Sequence, residues 1–397
     1  MTDYSTLSLQ DLQELDYELL SEEDLIALQN LATNYYSFEQ AIKLAINSIY
    51  GAFGSVFFHW FNLDIAETIT LQGQDAIRHT VAMTDKYFKE FFHRDKALHK
   101  NMGFADDIKI NKVQRPVCQY VDTDSAYISF GEPLINSQFK GSEKEFVLLL
   151  NEHRLSSFYN NIFDEYSKKY NTKSYLNFEL ETIAKNVVFV AKKKYVQDIV
   201  WKDGKNYDSL SYIKTTGLEL VQSSTPPFCR EKLKELVVLI FAKGKLVPED
   251  SVDIVKKIKE IKELFKLSNP ERISLSFSVS DYNKFILNDT TALEIASGCP
   301  MHVRAAGYHN YLINKHGLKT KYELIKSGDK IKFHNTKDKI CDVLGFKSGA
   351  YPIEVAPDID YDTLFSKTII DPINRIVSAT GISPINYNLS YYKNSLF

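Results

Sequence analysis

Two aspartates separated by a single threonine, Asp122-Thr123-Asp124, lie between two apolar runs, and this arrangement leaves the chain little local freedom. From residue 114 to 130 the pattern reads strand, turn, strand, with Val117, Val121, Ala126 and Ile128 flanking the polar centre, which predicts a β-hairpin with carboxylates at its tip. Carboxylates held that close repel one another unless a cation or a basic group compensates them. Mg²⁺ suits such a place, because it binds through one or two carboxylates plus substrate phosphates and keeps several waters. On these residues alone a solvent-exposed Asp-rich turn fits as well, since aspartate favours turns through hydrogen bonds to its own backbone.

Two other segments carry chemistry of the same kind. In the run KLAINSIYGAFG, steps of four and three residues set Lys43, Asn47 and Tyr50 on one stripe of a helix, beside the apolar stripe Ile42, Ile46 and Ile49. A lysine and an amide so aligned can hold a polyphosphate, and the tyrosine a base; an amphipathic helix whose polar stripe faces water fits the same spacing. Further on, Lys192, Lys193, Lys194 and Tyr195 interrupt the apolar run VVFVAKKKYV. Consecutive lysines on a strand point alternately to both faces, so at least one approaches the sheet core unless that face meets an anion such as a nucleic-acid backbone. A run of three lysines taken by itself also fits a solvated surface.

The remaining pattern sets the organisation. Leu12, Leu15 and Leu19 recur at helical spacing, and Ser21 with Asp24 forms a capping-box start for a helix through Leu25, Leu28 and Leu31. A polar and aromatic break at 34–37 then predicts a second helix through Ile42, Ile46, Ile49 and Phe53, so that the two form a hairpin or a bent helix. Residues 143–172 read as helix, 186–201 as extended, and 229–267 as amphipathic helices on which Lys256, Lys257, Lys259 and Lys262 are a solvated face. After residue 268 the segments shorten into a mixed α/β region with long loops.

With 397 residues, 44% of them hydrophobic, the chain can bury the cores of two or three units. A net charge of −3 does not by itself point to nucleic acid, so local clustering has to carry that reading. The apolar runs, such as 236–242, fall far short of the ~20 residues of a membrane helix, and the acidic first residues do not resemble a secretory signal. Cys118, Cys229, Cys299 and Cys341 are isolated, which favours a reducing compartment, disfavours structural zinc and makes the cytoplasm the expected location.

Taken in order, the helix motif, the hairpin and the lysine run resemble the motifs of family B DNA polymerases. There the Lys-x3-Asn-Ser-x-Tyr-Gly helix belongs to the fingers, Tyr-Gly-Asp-Thr-Asp-Ser to the palm, and Lys-Lys-Arg-Tyr grips the primer end. The T-even bacteriophage type is the more specific likeness: Gly217 followed by Gln222-Ser223-Ser224-Thr225-Pro226 resembles the start of its thumb. Cys299-Pro300-x-His302-Val303-Arg304 and Asp362-Thr363-Leu364-Phe365-x-Lys367 resemble its thumb landmarks. The likeness covers nearly everything from about Glu39 onward. Val121 stands where the family usually has glycine and Lys194 where it has arginine; neither change removes a charge or a ligand.

The resemblance implies an α+β fold of right-hand architecture. Partial fingers helices would occupy 1–55, a palm with an antiparallel sheet 56–216, and a mixed α/β thumb 217–397. It implies that Lys43 and Asn47 contact the triphosphate of a deoxynucleotide, that Tyr50 and Gly51 lie under the nascent base pair, and that Thr123 belongs to the nucleotide site. Asp124 would be the metal-binding carboxylate, and Asp122 would orient water and the lysines. Lys192, Lys193, Lys194 and Tyr195 would track the primer, with Glu179 and Glu181 near the palm site. The implied reaction is template-directed nucleotidyl transfer, an in-line attack of the primer 3′-OH on the α-phosphate with two Mg²⁺ ions.

The family's second catalytic aspartate lies in an upstream Asp-x-x-Ser-Leu-Tyr-Pro segment that this sequence lacks; Asp208-Ser209-Leu210-Ser211-Tyr212 has neither the place nor the proline. Since Met1 falls where a full-length polymerase is partway through its fingers, the expectation is the C-terminal subunit of a split replicative polymerase, inactive without a partner chain. That partner would bring the other aspartate and an exonuclease. A non-catalytic scaffold that holds primer-template is the alternative, which intact Asp124, Lys43, Asn47 and Tyr50 disfavour. The last residues, Tyr391, Tyr392 and Phe397 among them, resemble a sliding-clamp-binding tail, and docking of those aromatics on the thumb fits equally.

Overall fold

The computed structural model describes residues 19–386 together with Tyr4, Leu7, Asp11, Leu12 and Leu15. The expected clamp-binding tail at 391–397 lies outside the described residues, as does much of the first helical pattern. The chain forms two compact units. One comprises Met1–Arg94, Asn111–Glu132 and Ile162–Ser174; the other comprises Asp95–Ile110, Pro133–Asn161 and Tyr175–Phe397. The result is an α+β fold whose sheets are all antiparallel.

The first unit is built on two long helices. Helix α1, Glu22–Gly54, starts at Ser21, whose hydroxyl accepts the Asp24 amide, with Glu22, Glu23 and Asp24 favourably placed in the first turn. The break expected at 34–37 does not occur: α1 is one continuous helix of 33 residues. Thr33 and Ser37 donate their hydroxyls to the carbonyls one turn back, those of Gln29 and Thr33, at 2.8 Å each. These polar residues therefore bond within the helix instead of ending it.

Helix α2, Leu63–Lys86, is capped by Asn62 and runs on into a π-helical turn, Tyr87–Phe91. Ala76, Thr80 and Thr84 recur at steps of four and are buried. The Thr80 and Thr84 hydroxyls bond back to the carbonyls of Ala76 and Thr80 at 2.9 and 2.7 Å, so a close-packed stripe carries no unsatisfied polar atom. Beyond it Phe88 is fully buried against Phe92 and Phe130, with ring centroids 5.4 and 5.7 Å away. A two-stranded hairpin, β1 (Cys118–Asp122) and β2 (Ser125–Ile128), completes the part of this unit that concerns the site.

The helical pattern over 143–172 forms α3, Glu143–Leu150, and α4, Ser156–Lys169, joined by a π-helical turn. In the second unit a four-stranded antiparallel sheet comprises β3 (Thr182–Ala191), β4 (Lys194–Lys202), β5 (Lys205–Asn206) and β6 (Ile213–Thr216), with β3, β5 and β6 all pairing to β4. Helices α5, Pro227–Ala242, and α6, Ser251–Lys266, place Leu233, Leu236, Ile258 and Phe265 in one core with Val196 and Leu218. Lys257 and Lys262 of α6 pair with Glu235 and Asp362. A second sheet in this unit has the order β11-β10-β7, from β7 (Leu275–Ser278), β10 (Lys330–Asn335) and β11 (Val343–Phe346); β8 (Ile286–Asn288) pairs separately with β9 (Glu294–Ile295). Helix α7, Met301–Lys315, packs Tyr308 and Leu312 with Phe333 and Leu344 of the three-stranded sheet.

Candidate functional site

The aspartate hairpin forms where the sequence places it. Tyr120 lies opposite Tyr127, Val121 opposite Ala126 and Asp122 opposite Ser125, and the two tyrosine rings meet edge-on at 5.7 Å. At the tip the Asp124 amide donates to the Asp122 carbonyl at 2.7 Å, across a Thr123 whose φ is 59°. That is a γ-turn, and left-handed backbone costs an L-residue about 1–2 kcal/mol, more so one branched at Cβ. The Ser125 hydroxyl donates to the same carbonyl at 3.0 Å and the Thr123 hydroxyl to the Asp122 carboxylate at 3.3 Å, which helps to hold the turn. Asp122 is half-buried and Asp124 is exposed, so the two carboxylates meet different surroundings.

Two other carboxylates fix the base of this hairpin. Asp85 accepts the amides of Val117 and Cys118 at 2.8 and 3.0 Å through one oxygen, and Glu132 accepts those of Gln114 and Arg115 at 2.7 and 3.2 Å. Sequence reasoning passed over both. The available signal was the position of Asp85 in the last turn of α2, where the helix dipole disfavours an anion and some other partner must hold it. Burial, then the neighbouring Asp85, pushes the Cys118 thiol up to about 12, which makes it an inert packing group.

On α1 the four nucleotide-site candidates, Lys43, Asn47, Tyr50 and Gly51, are all exposed. The Tyr50 hydroxyl lies 3.0 Å from the Thr70 hydroxyl, which itself donates to the Ala66 carbonyl at 3.0 Å; Tyr50 is thus tied to α2. Lys43, seven residues back, sits about 10 Å along the helix from Tyr50. Thr70 and Asp85 are separated by about 22 Å along α2. One helix, α2, therefore holds both the hydroxyl partner of Tyr50 and the carboxylate that fixes the base of the aspartate hairpin.

The lysine run is not on a continuous strand, and the expected conflict with the sheet core does not arise. Ala191 pairs with Lys194, and Lys192 and Lys193 form the turn between β3 and β4, with Lys193 at φ 60°. Lys192 and Lys193 are exposed and Lys194 is half-buried, so a hairpin end carries three cations without placing one in the core. Tyr195 behaves differently: its ring is buried in the sheet, 5.9 Å from that of Phe189. Gly217, at φ 66°, passes so close that a Cβ there would overlap the Lys193 carbonyl. Glu179 and Glu181 are exposed in the extended stretch before β3.

The later landmarks hold structure within the second unit. His302 stacks on Phe277 at 5.4 Å, Arg304 pairs with Asp342 at 2.8 Å, and Leu364 and Phe365 are buried in the α5–α6 core. Among the described residues no three His, Cys, Asp or Glu side chains group closely enough to hold a metal by themselves, and no helix is long and apolar enough to cross a membrane.

Comparison with known proteins matches residues 27–380 to the family described as DNA polymerase family B. The DNA-directed DNA polymerase of Enterobacteria phage T4 is 25% identical over 373 residues, which cover 86% of this chain and 37% of that protein. That of Escherichia phage RB69 is 26% identical over 361 residues, covering 86% of this chain and 36% of its own length. A more distant similarity, 24% over 203 residues, is to the DNA polymerase catalytic subunit of Human herpesvirus 6B (strain Z29). The chain thus spans 36–37% of the length of the phage relatives that it matches.

Proposed function

The chain belongs to DNA polymerase family B, and we propose that it is the part of a replicative DNA polymerase in which the nucleotide and one catalytic carboxylate meet. The observation that supports this most is the aspartate hairpin: a strained γ-turn aims two carboxylates from a base held by Asp85 and Glu132. In this reading 1–55 are the second half of the fingers, 56–216 the palm and 217–397 the thumb of a right-hand architecture.

The residue types suit the roles. Lys43 and Asn47 offer a cation and an amide to a triphosphate, Tyr50 and Gly51 an aromatic ring and a bare backbone to the nascent base pair, and Thr123 would belong to the same nucleotide site. Asp124, exposed at the tip, would hold Mg²⁺, with Asp122 orienting water beside it; a hard cation with one or two protein carboxylates takes its remaining oxygens from phosphates and water. Bound there, Mg²⁺ supplies neutralisation of phosphate charge as the 3′-OH attacks. Lys192, Lys193 and Lys194 would grip the primer backbone without reading sequence.

The second metal carboxylate comes from polypeptide outside these 397 residues. The absence of Asp-x-x-Ser-Leu-Tyr-Pro from the sequence and the 37% share of the phage T4 relative support this. We place that polypeptide on a separate partner chain, together with the exonuclease. The test is primer extension with Mg²⁺ and deoxynucleotides, by the purified chain and by the chain mixed with a polypeptide carrying that segment. Extension by the mixture alone is expected; binding of primer-template without extension in the mixture would instead favour a scaffold, and extension by the chain alone would mean that its second carboxylate is internal.

A further inference from the structure

From residue 52 to 63 the sequence contains no Asp, Glu, Lys or Arg, yet this stretch, which follows the nucleotide stripe, forms the end of α1, the connecting loop and the first residue of α2 on the surface of the first unit. Its large apolar side chains face outward: Val56 is 69% exposed, Phe57 95%, Phe58 55%, Trp60 61% and Leu63 61%. The loop is nonetheless ordered. The Phe58 amide donates to the Ser55 carbonyl at 2.9 Å, that of Phe61 to Phe58 at 3.0 Å, and that of Asn62 back across the loop to Phe53 at 2.9 Å. Aromatic groups are therefore presented from a folded turn, which lowers the ordering cost of covering them.

We propose that this surface is the seat of the polypeptide that completes the polymerase; the proposal rests on the reading in the preceding section. Apolar patches of this kind mark interaction sites, and loss of charge with enrichment in aromatics is the composition of the fully buried centre of a protein interface. A nucleic-acid strand or an anionic bilayer is recognised through lysines and arginines, which the stretch lacks. The share of the relatives' length speaks for the occupant. In a protein of which this chain would be 37%, the same family segment has nearly twice as much further polypeptide available to cover it.

The test uses the full chain and a polypeptide carrying the Asp-x-x-Ser-Leu-Tyr-Pro segment, with affinity read by calorimetric titration. Three forms are compared: the native sequence, Phe57→Ser with Trp60→Ser, and the control Ile353→Ser, an exposed position in the second unit. Because every changed side chain is exposed, folding is expected to be unaffected, which circular dichroism checks. The double variant should bind about 100-fold more weakly and the control within about twofold. Unchanged affinity in the double variant, self-association of the native chain that the double variant abolishes, or binding to anionic vesicles in place of the polypeptide would each overturn the proposal. A complex weakened by the double variant but unable to extend primers would keep this surface and remove the polymerase reading. A complex that extends primers and ignores the substitutions would do the reverse.

Discussion

Asp85 does two jobs with one oxygen, accepting the Val117 and Cys118 amides, of which the former belongs to a buried residue. Asp85→Ala removes the acceptor and leaves a desolvated donor behind, so a loss of about 2–3 kcal/mol is expected, read from the denaturant midpoint. At the other end of the hairpin Asp124 has nothing structural to do, and the opposite outcome follows: Asp124→Ala should abolish primer extension by the complex while DNA affinity stays within about twofold and the midpoint is unchanged. His334 gives a residue-scale signature in pH. Its Nδ1 lies 2.9 Å from the Ser274 hydroxyl, its Nε2 is buried without a partner, and burial pulls the imidazole from its usual 6.5 to about 4. Between those values the unfolded chain binds a proton that the folded chain does not, so stability is complete above about 6.5 and falls as the pH drops, by about 2 kcal/mol at pH 5. His334→Gln should flatten that slope in urea titrations.

At the scale of elements, the lysine hairpin shows what was and was not legible in the sequence. The aspartate hairpin was readable because two apolar runs flank a polar Asp122-Thr123-Asp124 centre, and its turn is where it was expected; that it is a γ-turn with left-handed backbone at Thr123 was not. Nor was the turn at Lys192 and Lys193 readable, because no glycine or asparagine marks it; a lysine takes the left-handed position that such residues usually fill, opposite a Gly217 that leaves room for the carbonyl. Continuity of α1 was hidden for a similar reason, since Thr33 and Ser37 look like breakers until their hydroxyls are seen bonding one turn back. The partners of Asp85 and Glu132 were beyond reach, as they lie 17 to 33 residues away; only the placement of Asp85 at a helix C-terminus hinted that it needed one. If the three lysines grip phosphates, replacing Lys192, Lys193 and Lys194 by alanine should lower the slope of log affinity against log salt by about 2–3, measured by fluorescence anisotropy at several salt concentrations.

At the scale of the whole molecule the chain is two units, each with buried residues of its own. Calorimetry is expected to resolve two transitions, with Asp85→Ala lowering one and His334→Gln changing the pH response of the other; a single transition that both substitutions move together would show that the units unfold as one. Helix α1 gives this molecule one more property. Its 33 residues make a rod about 50 Å long. Tyr50 stands one turn from the Gly54 end and is tied to Thr70, while Glu22 is at the far end. A tilt of about 10° about Gly54 would shift Tyr50 by about 1 Å and Glu22 by about 8 Å. The helix is in effect a pointer with its short arm at Tyr50, so a small displacement there is magnified about eightfold at its tip.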